Sequence, residues 1–287
     1  MSFLDHIRAC NNGDLSVQTR FCVAGENIGW VGPEIAETLL MQFDCFSREA
    51  DAIVLTGAAN TVEERSALMA DVAAELSRLG VVDGLRDELF PAMRNWGEEP
   101  RFLIDRVAVP PFGLRAWGIH LNGYVRKADG LHLWIGRRAS GKSTYPDLLD
   151  NTVAGGQPFN LTLRENLIKE CGEEASITPA MAAQAVPVGC ITYVREEKGR
   201  IKPDVMFCYD LEMPENFTPV NTDGELAGFY LLPAGEVMEI IRTTEEFKFN
   251  CNLVLIDFFI RHGLLTPDDE PDYTELCEGM RKGHAAS

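Results

Sequence analysis

What the chain lacks narrows its class first. No apolar run approaches the ~18 residues that a membrane-spanning helix needs, so no membrane partner is expected. The opening residues carry Asp5, His6 and Arg8 and no apolar stretch of the kind a signal peptide requires, which leaves a cytoplasmic location as the expectation. No two of the eight cysteines form a Cys-x-x-Cys pair, and the five histidines show no metal-ligand spacing. The thiols, at positions 10, 22, 45, 171, 190, 208, 251 and 277, lie mostly in apolar runs, as buried free cysteines in a reducing compartment would. Positive charge is also scarce: 26 Lys and Arg face 44 Asp and Glu, for a net charge of −18. A nucleic-acid partner demands a basic face, and this balance argues against one. Lysine is missing altogether from residues 1–113, where nine arginines oppose 18 acids.

What is present suits a folded chain. With 287 residues, 46% of them hydrophobic, there is material for one large domain or two compact ones. Residues 1–113 alternate helix-like and strand-like segments and read as an N-terminal α/β domain. Thr61-x-x-Glu64 is a capping box for a helix running to Leu79 and stopped by Gly80. Pro110-Pro111 and Gly113 mark the connection to a second domain over residues 114–265. There, two apolar strands flank Lys127-Ala128-Asp129-Gly130, a hairpin signal. The strand Asn151–Ala154 leads to Gly155-Gly156, and a helix, further strands and the apolar helix Asn252–Arg261 follow. The acidic stretch 266–287 reads as a solvated tail.

The chemistry concentrates after Gly155-Gly156. Thr162-x-x-Glu165 opens a helix on which Glu170, Glu173 and Glu174 stand at i, i+3 and i+4, on one face. Leu163, Leu167 and Cys171 take another face and can pack on a sheet. Three crowded carboxylates repel one another, and Mg²⁺ or Mn²⁺ suits such an oxygen-rich cluster. An acidic surface face is the plainer meaning of such a run, but the glycine pair after a strand weighs against it. Lys169 adds nearby positive charge, with Glu165 in i, i+4 reach of it.

This stretch resembles the Nudix box, in which a glycine is followed at set spacing by a glutamate and then by Arg-Glu-apolar-x-Glu-Glu-x-Gly-apolar. Counted from Gly155, the three later glutamates fall on Glu170, Glu173 and Glu174, and Ile177 takes the final apolar position. Three positions depart: Leu161 stands for the first glutamate, Lys169 for the arginine and Ser176 for the glycine. The segments Gly118–Tyr124, Thr144–Asp150, Asn221–Glu225 and Phe247–Asn252 are similar to the Nudix domain associated with thiamine pyrophosphokinase, over residues 100–265. The resemblance implies an α/β Nudix fold, a mixed sheet sandwiched by helices, preceded by a small α/β domain. It implies metal-dependent hydrolysis of a phosphoanhydride bond in a small organic diphosphate: thiamine diphosphate or its oxidised or damaged analogues. It makes Glu170, Glu173 and Glu174 the metal ligands and catalytic acids. Glu225 is a candidate further acid, since many Nudix enzymes place one before a strand in this region.

Arg137, Arg138 and Lys142 are candidate diphosphate contacts, with Gly155 and Gly156 as backbone contacts. The first three lie in Gly136–Ser143, which matches the P-loop pattern letter for letter. A P-loop must open a helix, and Pro146 interrupts any helix there. Trp117, Tyr124, Trp134 and Tyr145 are either ring platforms for a cationic heterocycle or core. Alternatives are a Nudix hydrolase of ADP-ribose or another nucleoside diphosphate derivative, and a Nudix-fold protein that binds a metabolite without turning it over. An isomerase of allylic diphosphates needs an acid–base cysteine, which Cys171 on a packing face does not supply.

Overall fold

The computed structural model describes residues 2–57, 59–142 and 144–283. It opens with α1 (Phe3–Cys10), whose buried Phe3, Leu4 and Ile7 define one apolar face. A four-stranded sheet follows, from β1 (Thr19–Val23), β2 (Glu26–Val31), β3 (Phe46–Glu49) and β4 (Ala52–Leu55), in the order β2-β1-β4-β3. Between β2 and β3 lies α2 (Pro33–Gln42). The expected capping box opens α3 (Val62–Arg78): Thr61 Oγ1 accepts the Glu64 N–H, and Glu64 reaches back to the Thr61 N–H. A hairpin of β5 (Leu89–Ala92) and β6 (Phe102–Asp105) completes this region. Its core runs from Phe21 to Leu114 and centres on Phe21, Phe46, Phe102 and Phe112.

The second sheet comprises β7 (Trp117–Lys127), β8 (Gly130–Arg138), β9 (Leu149–Asp150), β10 (Val153–Gly156), β11 (Val186–Thr192), β14 (Val205–Glu212) and β15 (Leu226–Pro233). Between β11 and β14 stands a separate ribbon, β12 (Arg195–Glu197) and β13 (Arg200–Lys202). The sheet is mixed: β7 and β14 are parallel, and the other pairs are antiparallel. One face carries α4 (Leu163–Ala175) and α5 (Pro179–Ala182). The other carries α6 (Ala234–Thr243), α7 (Phe249–Arg261), α8 (Tyr273–Gly279) and α1. Among the described residues no helix is long and apolar enough to cross a membrane.

The sheet is forked. β7 and β8 pair only from Tyr124↔Leu133 to the hairpin end. Beyond that point they part. Residues 149–156 fill the gap, with β9 on β8 and β10 on β7. Thr152 sits in the crotch: its hydroxyl accepts the Gly123 N–H at 2.8 Å and donates to Trp134 O at 2.6 Å. One side chain thus satisfies a backbone donor and a backbone acceptor that separation of the strands leaves unpaired.

Two segments differ from the sequence expectation. The stretch after Thr266 is not a solvated tail through its described part, since Leu276 and Met280 are buried in the core beneath α7. Its residues 284–287 lie outside the described residues. Helix α1 packs on α7 and α8 rather than on the first sheet, and Asn11 Nδ2 donates to Gly279 O. Neither docking surface is marked by local sequence.

The join between the two sheets is tight. At Gly113, φ is +54°, and a Cβ there would lie 2.0 Å from Trp30 O. Gly113→Ala must therefore shift two backbone segments. Urea unfolding is expected to show a loss of at least about 2 kcal/mol.

Candidate active site

Helix α4 brings the glutamates to the fork. Its start is fixed as the sequence predicts: Thr162 accepts the Glu165 N–H, and Glu165 Oε2 accepts the Thr162 N–H at 2.8 Å. Because Glu165 serves the cap, it does not pair with Lys169. Lys169 instead donates to Glu170 at 3.1 Å and Glu173 at 2.8 Å. Glu174 is buried against the sheet and accepts the Ala154 N–H at 2.9 Å. Burial, with Asp150, Glu170 and Glu225 nearby, pushes its pKa well above the usual carboxylate range. Burial also raises that of Glu170, against the pull of Lys169. With one lysine among three carboxylates, excess negative charge remains, all of it on oxygen. That donor set fits a hard divalent ion.

The C-terminal end of α4 is clamped by the loop before β15. Val220 N–H donates to Ala175 O, Thr222 Oγ1 to Glu173 O, and Asn221 Nδ2 to Glu174 O. These bonds occupy carbonyls that the helix leaves free. Ser176, at the box's glycine position, is left-handed with φ +53°, and its hydroxyl donates to Val220 O at 2.7 Å. A conformation that favours glycine is thus held by a serine with its own anchor. The same loop carries Glu225 into the cleft, where it pairs with Lys142 at 2.7 Å.

The cleft, about 880 Å³, runs between the second sheet and residues 83–116 around the β5–β6 hairpin. It brings together Glu170, Glu173, Glu174, Glu225, Lys142 and the Gly155-Gly156 strand. Arg138 also lines it but is fully engaged: it donates to Tyr145 O, Thr144 O and Asp150 Oδ2. Arg137 is not among the lining residues. It donates to Asp147 O and lies over the Tyr230 ring. Strand alternation sends neighbouring residues to opposite faces, so both arginines could not enter one cleft.

No helix follows Gly136–Lys142, and Ser143 lies outside the described residues. Tyr145 and Asp147 are both left-handed, which no helix tolerates. Of the candidate ring platforms, Tyr124 and Trp134 are core, Trp117 is buried but borders the cleft, and Tyr145 lines it. Cys171 is buried on the face of α4 that packs on the sheet, and burial raises its thiol pKa to about 12.

Two bracing residues escaped sequence reading. Buried Asn166 donates to Gly156 O at 2.8 Å, and buried Gln157 donates to Leu161 O at 2.6 Å, which shapes the loop before α4. Each stands at an ordinary polar position, and nothing in its spacing marks it.

On the β9 side of the fork lies a second polar group. His120 Nδ1 donates to Asn151 Oδ1, and the Cys251 thiol donates to Asp150 Oδ1 at 2.8 Å. His120, Asp150 and Cys251 each offer a ligand atom within 4.8 Å of the others. Asp150, however, already faces Arg138 at 2.9 Å and Lys248 at 3.6 Å. Burial would raise its pKa, but Lys248, the Cys251 thiol, His120 and Arg138 outweigh burial and hold it at about 2. Both oxygens of Asp150 are thus engaged, Oδ1 by the Cys251 thiol and Oδ2 by the two cations.

Gly155 makes the glutamate geometry possible. A Cβ there would lie 2.6 Å from Glu170 Cδ. Gly155→Ala is expected to displace that carboxylate and lower turnover about a hundredfold, with the thermal unfolding transition retained in calorimetry.

His120 supplies a stability test. Burial lowers its pKa from 6.5 to about 4, so between those values the unfolded chain binds more protons than the folded one. Its contribution is complete above pH 6.5 and falls on acidification through that window, by up to about 1.4 kcal/mol per pH unit. Urea unfolding at pH 7 and pH 5 should show a larger loss for the wild type than for His120→Asn.

The chain is similar to known proteins along its whole length. Residues 2–116 match the family described as a domain of unknown function (DUF4743). Over 98% of its length the chain is 39% identical to Nudix hydrolase 24, chloroplastic, of Arabidopsis thaliana, and covers 78% of that protein. Nudix hydrolase 20, chloroplastic, of the same organism is 38% identical over 97% of the chain and 77% of its own length. The Nudix domain of Shewanella oneidensis NrtR, solved in complex with ADP ribose, is 11% identical over 54% of this chain and 91% of that one, with a TM-score of 0.42.

Proposed function

The chain belongs to the Nudix hydrolase family, and from that premise we propose that it cleaves thiamine diphosphate, or its oxidised or damaged analogues, to the monophosphate and phosphate. Phosphoanhydride hydrolysis is the family's reaction, and a divalent metal is its usual cofactor. The observation that carries the reading is the convergence of Glu170, Glu173 and Glu174 beside the bare Gly155 backbone at the fork. These three glutamates would hold Mg²⁺ or Mn²⁺. When bound, the ion supplies positive charge to the phosphoryl oxygens as the bond to the leaving oxygen breaks.

The chain's own groups do the rest. One of the three glutamates takes the proton of the attacking water, which adds directly to phosphorus, so no covalent enzyme intermediate forms. The Gly155-Gly156 strand lets the diphosphate approach the backbone. Glu225, with Lys142 beside it, is the further acid of the cleft. Support for the thiamine class comes from the sequence segments similar to the thiamine-associated Nudix domain. Tyr145 adds an aromatic wall, and an aromatic face attracts a cationic ring. We place the enzyme in a reducing compartment, the cytoplasm, on the strength of its free cysteines.

The direct test is phosphate release with Mg²⁺ from thiamine diphosphate, its oxidised analogues, ADP-ribose and nucleoside triphosphates, with products separated by chromatography. Thiamine monophosphates as products support the proposal. Turnover of ADP-ribose or nucleotides alone overturns the substrate, and binding without phosphate release overturns the catalytic reading. Glu173→Gln is expected to lower turnover about a hundredfold or more. Near-wild-type activity in that variant would remove the glutamate cluster from the mechanism.

A further inference from the structure

Among the described residues the cleft holds one half-buried cation whose hydrogen-bonding capacity is unused. Arg106, Arg138, Lys142, Lys169 and Lys202 each donate to a carboxylate, at distances between 2.7 and 3.1 Å. Arg86 is exposed at the rim. Lys248 is different. Its side chain is 18% exposed, and its nearest carboxylate oxygen, Asp150 Oδ2, is 3.6 Å away. Among the described residues its ammonium donates no hydrogen bond. An ammonium on the wall of a cleft with no protein acceptor in reach carries three donors that a ligand can use.

Charge around Lys248 points the same way. Arg138 and Lys248 share the single carboxylate of Asp150, while His120 and Cys251 are neutral, which leaves one net positive charge in an enclosed place. Lys248 also stands at the N-cap of α7, a thirteen-residue helix that no side chain caps, so the helix dipole adds to the positive potential. The backbone fixes its position: Lys248 N–H donates to Leu149 O at 2.8 Å, which ties it to β9. Glu174 lies within electrostatic reach on the β10 side. The fork therefore presents carboxylates on one branch and an unsatisfied ammonium on the other.

We propose that Lys248 is an anion-binding residue that receives a phosphoryl oxygen of the diphosphate on the β9 side of the fork, opposite the glutamates of α4. The inference rests on the hydrolase reading above and adds a second wall to its site. A substrate with phosphoryl oxygens would meet both walls at once: its anionic oxygens accept from Lys248, and a metal ion held by the glutamates would neutralise the rest. Asp150, 3.6 Å from the ammonium, orients Lys248 rather than touching substrate.

The test compares wild type, Lys248→Met and Lys248→Arg. KM for the hydrolysed diphosphate should rise about tenfold to a hundredfold in Lys248→Met, as loss of a charge-assisted hydrogen bond requires. Lys248→Arg should recover most of it. Inhibition by inorganic phosphate should weaken in parallel with KM. An unchanged KM and unchanged phosphate inhibition in Lys248→Met overturn the proposal. Calorimetric titration of inorganic pyrophosphate with Mg²⁺ into the full chain separates this from failure of the hydrolase reading. If the wild type turns over nothing yet binds pyrophosphate more tightly than Lys248→Met, the anion site stands and the substrate reading falls. If Lys248→Met does not fold, Lys248→Gln takes its place in the same titration. Equal pyrophosphate binding by wild type and a folded variant overturns the site.

Discussion

The bridge that Thr152 makes across the fork is the constraint on which the site depends. Two strands of one sheet separate, and each leaves a backbone group in a place that water does not reach. The Thr152 hydroxyl, 1% exposed, answers both. Without it, the Gly123 N–H and the Trp134 carbonyl would be buried and unpaired, at a cost of about 1–3 kcal/mol each. The separation also decides what stands next to what. β10 goes to β7 and receives α4, while β9 goes to β8 and receives the segment that enters α7. Asp150, Asn151 and Thr152, all buried, form the joint between these two arms.

The joint connects to a longer polar line. Asn151 Nδ2 donates to Asn122 Oδ1, Asn122 Nδ2 donates to Asp210 Oδ1, and Asp210 accepts from Arg261. His262 lies 2.9 Å from the same carboxylate. The line runs through the sheet from the cleft to the C-terminal end of α7. Satisfied networks of this kind favour one arrangement of a core over near alternatives, because any shift leaves a polar group without a partner. The fork is thus held rigid by side chains buried within the sheet. Two of the three departures from the Nudix box, Ser176 and Lys169, sit at positions where a substitute is available. Ser176 has its anchor on Val220, and Lys169 reaches both Glu170 and Glu173 in place of an arginine.

Much of the fold was legible. Thr61 and Thr162 announced their helices by capping residues, and the hairpin of β7 and β8 by its turn. The three glutamates were legible because helical spacing alone puts them on one face. What escaped depends on contacts between distant parts of the chain. Lys248 lies 78 residues after Glu170 in sequence and enters the site only because its backbone pairs with β9. Asn166 and Gln157 have no spacing that marks them; their roles show only once Gly156 and the loop before α4 are in place. The acidic composition after Thr266 concealed Leu276 and Met280, two apolar residues that suffice to dock a short helix. Arg137 and Arg138 look equivalent in a basic run, yet the alternation of β8 separates them.

The helix at the start of the chain gives the assembly a further property. By sequence, residues 1–113 and 114–265 read as two domains. Yet Phe3, Leu4 and Ile7 fill the core under α7, and Phe90 of β5 lies where a side chain on Gly156 would point. A fragment cut at the apparent boundary would lose part of its own hydrophobic interior and one wall of its cleft. The modularity that the order of segments suggests is therefore not modularity of folding. The two regions are interlocked, and shuffling the catalytic half into another protein would require carrying the first helix with it.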